Sequence, residues 1–186
     1  MRVTPTDLPE VLAIEPEIHE DARGFFLEQW HESRYREAGI TGRFVQDNLS
    51  RSRQGALRGL HFQEPDPQGK LISVFEGRIF DVAVDIRRGS PRFAHWVGIE
   101  LSADNRKQLW IPPGFAHGFC VLGEHATVSY KCTEIYVPGH ERVVRWNDPA
   151  LGIAWPVRTP VLSERDRLAP ALDEQRALPD FPGNGA

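Results

Sequence analysis

The chain is short of cysteine, of positive charge, of long apolar runs and of helix signal, and each shortage excludes something. Its two cysteines, Cys120 and Cys132, form no CxxC pair and no even-spaced framework, so they read as buried, reduced thiols and not as a disulfide scaffold or redox pair. Lysine and arginine total 22 against 26 aspartates and glutamates, for a net charge of -4. That balance leaves no basic surplus to hold a nucleic acid polymer or an anionic membrane, although a local cluster could still bind a small anion. No stretch approaches the roughly 20 apolar residues of a membrane span. The opening MRVTPTDLPEVLAIEPE lacks the apolar core of a secretion signal, so a cytoplasmic location is expected. Helix signal is confined to a short amphipathic segment from His31 to Ala38, stopped by Gly39, and a turn beginning at Ser163.

What is present is strand. Short β-rich runs recur between turn signals: FFLEQW, RFVQDNLS, ALRGLHFQ, KLISVFEG, RIFDVAVDI, HWVGIEL, KQLWIPP, HGFCVL, ATVSYKCTEI and VVRW. The linkers EPDPQG, RRGSPR and VPGHER are polar or rich in Gly and Pro, and none is long enough to divide the chain. One all-β domain over residues 1–186 is expected, a closed barrel or two-sheet jelly roll with short peripheral helices. Residues 171–186 form a C-terminal tail that caps the domain and then frays.

Residues two apart on a strand share a face, and the inner face of a small barrel should be apolar. Several faces break that rule. Gln46, Asn48 and Ser50 share one, His61 and Gln63 another; Lys70 lines up with Ile72 and Val74, and Tyr130 with Val128 and Cys132. Turned inward, these faces make a pocket holding a base, a cation and a phenol; turned outward, they are solvated strand surfaces. The inward reading is stronger for Lys70 and Tyr130, which sit among apolar neighbours.

The spacing from Gly55 to His61, from Lys70 to Gly77, and the Pro112, Gly114, His117 triplet resemble the frame of metal-binding cupins. Where that frame carries a second histidine and a glutamate, this chain has Gln63 and Lys70. An ammonium has no lone pair to give and repels a divalent ion, so the expectation is a site with no metal and no other cofactor. Such residues suit proton transfer beside a developing oxyanion.

Over residues 21 to about 170 the motifs DARGFFLEQW, FVQDNLSRS, LRGLHFQ, QGKLISVFEGRIFDVAVDIRRGSP, IPPGFAHGF, YKCTEIYVPGHE and LSERDRLAP resemble, in order, the dTDP-4-dehydrorhamnose 3,5-epimerase family of metal-free cupin enzymes. The resemblance implies a cupin-type jelly roll, a dTDP-sugar substrate and inversion at two carbons beside a ketone. It implies His61 as base, Tyr130 as acid, Asp166 as the carboxylate orienting His61, and Lys70 at the enolate oxygen. It further implies that Arg23, Phe26, Glu28, Gln46, Asp47, Asn48, Arg58, His117, Tyr136, Glu141 and Arg165 bind substrate, with Tyr136 stacking on thymine. A homodimer is implied as well, with N-terminal strands crossing so that Arg23 and Glu28 complete the neighbour's site. Ile135 stands where a second tyrosine is usual in the family, and Arg165 where lysine is common.

Several of these residues have a competing local reading. Ser163 and Asp166 also spell the S-x-x-D of a capping box. Arg58 lies three residues from His61, which puts the two on opposite faces unless Gly59 hosts a bulge. His117 could be a satisfied core histidine, while Asp81 and Asp85 read as structural or solvated. His19, His31, His95, His125 and His140 take no role. Rival functions are a single-centre epimerase or ketoisomerase with nearly the same motifs, a metal-dependent cupin oxygenase, and a non-catalytic sugar-nucleotide-binding module.

Overall fold

The computed structural model describes residues 1–182, and residues 183–186 of the expected tail lie outside the described residues. Eleven strands appear among them: β1 (Arg2–Pro5), β2 (Leu12–Glu15), β3 (Ile18–Asp21), β4 (Gly24–Leu27), β5 (Gln46–Arg53), β6 (Leu57–Gln63), β7 (Lys70–Asp85), β8 (Trp96–Ser102), β9 (Gln108–Ile111), β10 (Phe115–Cys132) and β11 (Glu141–Val143). Two short helices, α1 (Glu32–Glu37) and α2 (Glu164–Arg167), fall where the caps and stops put them. His31 and Ser163 serve as their N-caps.

The two longest strands organise everything else. KLISVFEG and RIFDVAVDI, which read as separate runs, form the single strand β7, and HGFCVL and ATVSYKCTEI form β10. The pair runs antiparallel along its whole length, with register shifts between Val121 and Ala126 and between Thr127 and Val128. At the same level β7 has Gly77 at φ 71°, where a Cβ would run into the His125 carbonyl. The pair bends there and passes from one sheet into the other. Its first half in β7 and second half in β10 are flanked by β9 and β5; the other halves are flanked by β8 and β6, with β11 beyond. The result is a cupin-type jelly roll of two facing sheets.

Three apolar clusters hold it. Between the sheets lie Ile72, Val74, Ile79, Leu101, Leu109, Phe119, Val121 and Val128. Outside one sheet, Val82, Val84 and Ala116 are covered by Leu151, Leu172 and Leu178. Outside the other, Leu71 and Trp110 are covered by Tyr35 and Ile40 at the end of α1. The described part of the C-terminal segment packs against the barrel well past Pro170. Leu172 and Leu178 are buried, the Arg88 amide donates to the Pro179 carbonyl, and the Phe181 amide donates to the Arg88 carbonyl. The N-terminal β1 and β2 are strands that the pattern does not announce, being four residues each, with a proline ending the first.

Candidate active site

A cavity of about 340 Å³ opens between the sheets. Its wall from the β5, β10 and β7 side is written by register. Cys132 pairs with Gln46 on one side and Lys70 on the other; the next inward row is Asn48, Tyr130, Ile72, and the next Ser50, Val128, Val74. Period-2 alternation thus turns Gln46, Asn48, Lys70 and Tyr130 into the cavity, as the inward reading of those faces requires. It also turns Asp47 away: its carboxylate is exposed and pairs with Lys131 at 2.9 Å. The Asp47 side chain therefore faces outward within this chain.

The other wall comes from β6 and the first half of β10. There, His61 pairs with His117 and Arg58 with Phe119, so β6 carries two residues between its partners where β10 carries only Gly118. That extra residue is a β-bulge, and it brings Arg58 and His61 to the same cavity despite their spacing. Gly59 makes it possible, with φ 107° and a backbone so close to β10 that a Cβ would stand 2.5 Å from the His117 carbonyl oxygen.

His61 Nε2 lies 2.6 Å from an Asp166 carboxylate oxygen, and Asp166 is only 2% exposed. The helix cap and the dyad turn out to be compatible. The Asp166 backbone amide donates to Ser163 Oγ at 3.1 Å, which anchors α2 and leaves the carboxylate aimed at the imidazole. Burial works to raise the Asp166 pKa, but hydrogen bonds and charge from His61, with further bonds from Ser163 and the Gly59 amide, outweigh it and hold the carboxyl below its usual range. With Nε2–H donated to Asp166, the lone pair of neutral His61 resides on Nδ1.

Lys70 makes no ion pair or side-chain hydrogen bond among the described residues, so its ammonium is available to a ligand. Burial pushes its pKa down, while Cys132, Glu141 and Asp81 pull it back up. Tyr130 is likewise free of a hydrogen-bond partner among the described residues. Burial raises its pKa, aided by Cys132 and opposed by Arg58, so the phenol is protonated at neutral pH. His117 is 7% exposed and holds Asp81 through Nε2 at 3.0 and 3.1 Å. Asp81, read as structural or solvated, is fully buried and is the partner of a cavity-lining histidine. Asp85 is structural, bonded to Arg87 at 2.7 Å and to Ser90 at 2.6 Å.

At the mouth, Glu141 accepts from the Tyr136 hydroxyl at 2.7 Å and from Arg165, and Gln46 Oε1 accepts from the Tyr136 amide at 2.8 Å. Gln63 is buried behind this loop, accepting from the Val137 amide and donating to the Ile135 carbonyl. Gln68, Ser50 and Phe119 also line the cavity. Phe119 and Gln68 lie in motifs that carry no chemical signal, and only the alternation of β5 points to Ser50. Arg23, Phe26 and Glu28 do not reach this cavity within one chain. Arg23 pairs with Asp21 at 2.5 Å, Glu28 with Arg34 at 3.0 Å, and Phe26 is 68% exposed. Among the described residues, no three His, Cys, Asp or Glu side chains gather in a metal-binding group.

A jelly roll whose cavity faces a carboxylate-held imidazole toward a free phenol and a free ammonium belongs to the class of enzymes that move protons beside a carbonyl. The sequence profile described as dTDP-4-dehydrorhamnose 3,5-epimerase matches residues 5–174. The dTDP-4-dehydrorhamnose 3,5-epimerase of Pseudomonas aeruginosa is 50% identical over 181 residues, covering 96% of this chain and 100% of that protein. That of Neisseria gonorrhoeae is 53% identical over 167 residues, 89% of this chain, which spans about half (51%) of that relative's length. The solved dTDP-6-deoxy-D-glucose-3,5-epimerase of Legionella pneumophila, in complex with dTDP-4-keto-L-rhamnose, has a TM-score of 0.94 and 50% identity over 97% of this chain and 98% of that one. This chain belongs to the dTDP-4-dehydrorhamnose 3,5-epimerase family, and is an isomerase by that membership. The dTDP-4-dehydrorhamnose 3-epimerase of Streptomyces niveus is more distant, at 41% identity over 95% of this chain and 86% of that protein.

Proposed function

We propose that this chain converts dTDP-4-dehydro-6-deoxy-D-glucose to dTDP-4-dehydro-L-rhamnose by inverting C3 and C5 in turn. The observation that carries the reading is the placement of His61, with Asp166 behind it, and Tyr130 on opposing sheets of one cavity. Only hydrogens flanking the C4 ketone are acidic, so each inversion passes through an enolate. His61 removes the proton, and Asp166 orients the imidazole and stabilises the imidazolium that forms. Lys70 holds the enolate oxygen. Tyr130 returns a proton from the other face, which makes the exchange an inversion. Gln46, Asn48, Arg58, His117, Tyr136, Glu141 and Arg165 surround the remaining sugar and nucleotide, with Tyr136 stacking on thymine. Asp47, whose side chain faces outward, contributes to substrate binding through its backbone.

The working unit is a cytoplasmic homodimer in which Arg23, Phe26 and Glu28 enter the partner's site. Their distance from the cavity of their own chain and the exposure of Phe25 and Phe26 support this. Among the described residues, no helix is long and apolar enough to cross a membrane. The chemistry needs no metal, because Lys70 stands in the ligand frame; activity is expected to survive exhaustive chelation, and a loss restored by iron, manganese or zinc would overturn this.

The test of the whole reading is substrate turnover in deuterated water. Deuterium is expected at both C3 and C5, and reduction of the product gives the L-rhamno sugar. Label at one carbon alone would replace the double epimerase with a single-centre enzyme, and no label would leave a binding module.

A further inference from the structure

The inward face of β5 carries four polar side chains, and three of them are spoken for. Gln46 donates to Asn48 at 2.9 Å and accepts from the Tyr136 amide, Asn48 reaches Cys132 Sγ at 3.5 Å, and Ser52 accepts from Arg58 Nε at 2.9 Å. The fourth, Ser50, lines the cavity with its hydroxyl buried and without a hydrogen-bond partner among the described residues. It stands one inward row from Tyr130 and Asn48, opposite Val128. A buried hydroxyl without a partner forfeits its hydration and gains nothing in return, so an apolar residue would serve the empty protein better. A hydroxyl in such a place is matched to something that arrives.

We infer that Ser50 is a specificity-determining residue that hydrogen-bonds a ring hydroxyl on the C2–C3 edge of the substrate sugar. The inference rests on the proposed 4-ketohexose substrate and deepens it. The ring of that sugar is chemically lopsided about its ketone. One side of C4 leads to C3 and C2, each bearing a hydroxyl; the other leads to C5, which bears only a methyl group and the ring oxygen. A single neutral donor and acceptor in the wall beside Tyr130 therefore distinguishes the two edges. It anchors the C2–C3 edge at one place in the wall and so sets how the ring is seated before the base and acid, while the apolar Val128 and Phe119 beside it offer no such bond.

The test pairs Ser50→Ala with 2-deoxy and 3-deoxy analogues of the 4-keto substrate. With the parent sugar, kcat/KM is expected to fall about tenfold in the variant, because a substrate hydroxyl is left unpaired in a buried site. With one of the two deoxy analogues, wild type and variant should turn over, or bind where turnover is too slow, within about twofold of each other. The free variant should melt about 2 °C higher than wild type, since an unsatisfied buried hydroxyl has been removed. Equal penalties with the parent and both analogues, or a free variant that melts lower, would overturn the inference by showing that Ser50 serves the protein and not the ligand. Wild-type turnover of the parent sugar in the same assay keeps this separate from the substrate assignment, which fails only if that reaction is absent. Ser50→Gly, which cannot overpack, repeats the comparison should the alanine variant not fold.

Discussion

His61 and His117 face each other across β6 and β10, and each gives Nε2 to an aspartate, yet the two pairs are built to opposite ends. His61 has 27% of its side chain open to the cavity and grips one carboxylate oxygen at 2.6 Å. Its partner arrives on a one-turn helix far along the chain. His117 has only 8% of its side chain open and is shared between both oxygens of Asp81, which sits in the middle of β7 with no exposure at all. The first pair leaves part of the imidazole open to the cavity, with the carboxylate held behind it. The second locks an imidazole edge into the sheet. The same two side-chain types therefore make a pair open to the cavity in one place and a buried pair in the other. Solvent access and the element that brings the carboxylate decide which.

That contrast can be broken most sharply at His61. His61→Asn is expected to lower kcat by about 10³-fold or more while dTDP still binds, and to abolish wash-in of solvent deuterium; normal exchange would remove His61 from the mechanism. Tyr130→Phe should lose about 10²-fold in inversion yet keep exchange at the carbon that His61 serves, visible as deuterated starting sugar. If exchange disappears with inversion, the phenol is doing more than returning the proton. His117→Ala should cost about 2 kcal/mol of stability by leaving the buried Asp81 carboxylate without its donor, in addition to weakening substrate binding. His61→Ala, at a wall already open to water, should cost less; equal losses in thermal melts would erase the distinction. Asp166→Asn should reduce kcat by about 10- to 100-fold, the scale on which an outer partner tunes a functional histidine, with little change in KM. The smallest effect is in acid. Asp166 titrates below its unfolded value in the folded protein, so its contribution to stability is present above the unfolded carboxylate pKa and is lost as pH falls through the folded one. Asp166→Asn should therefore flatten the acid limb of a melting profile, and an unchanged limb would put the folded pKa elsewhere.

The cavity was legible where strand alternation carries the information. A polar residue two places from another on an otherwise apolar run has one face to share, and Gln46, Asn48, Lys70 and Tyr130 lie as that rule requires. Arg58 was legible only conditionally, through the bulge that Gly59 permits. Asp81 was not, because Asp81 and Asp85 occupy equivalent places in the same alternation and differ only in what faces them. One meets His117 from β10, and the other meets Arg87 two residues on. Nothing local says which. The joining of four runs into β7 and β10 was hidden for a related reason. A glycine that ends a strand and one that lets a strand turn a corner look alike in sequence, and only the carbonyl crowding Gly77 from the neighbouring strand separates them. Asp47 lies in the same run, and alternation sends its side chain outward to Lys131 while its neighbours point in.

The corner at Gly77 governs how the enzyme can open. Both walls of the cavity take residues from the same two strands, with Lys70 and Tyr130 on one side of the bend and Asp81 and His117 on the other. The spacing of these wall segments is therefore tied to covalent chain and to the β7–β10 pairing, as the jaws of a caliper are tied to its beam. Such walls cannot part like the leaves of a book without tearing the pairing of β7 with β10.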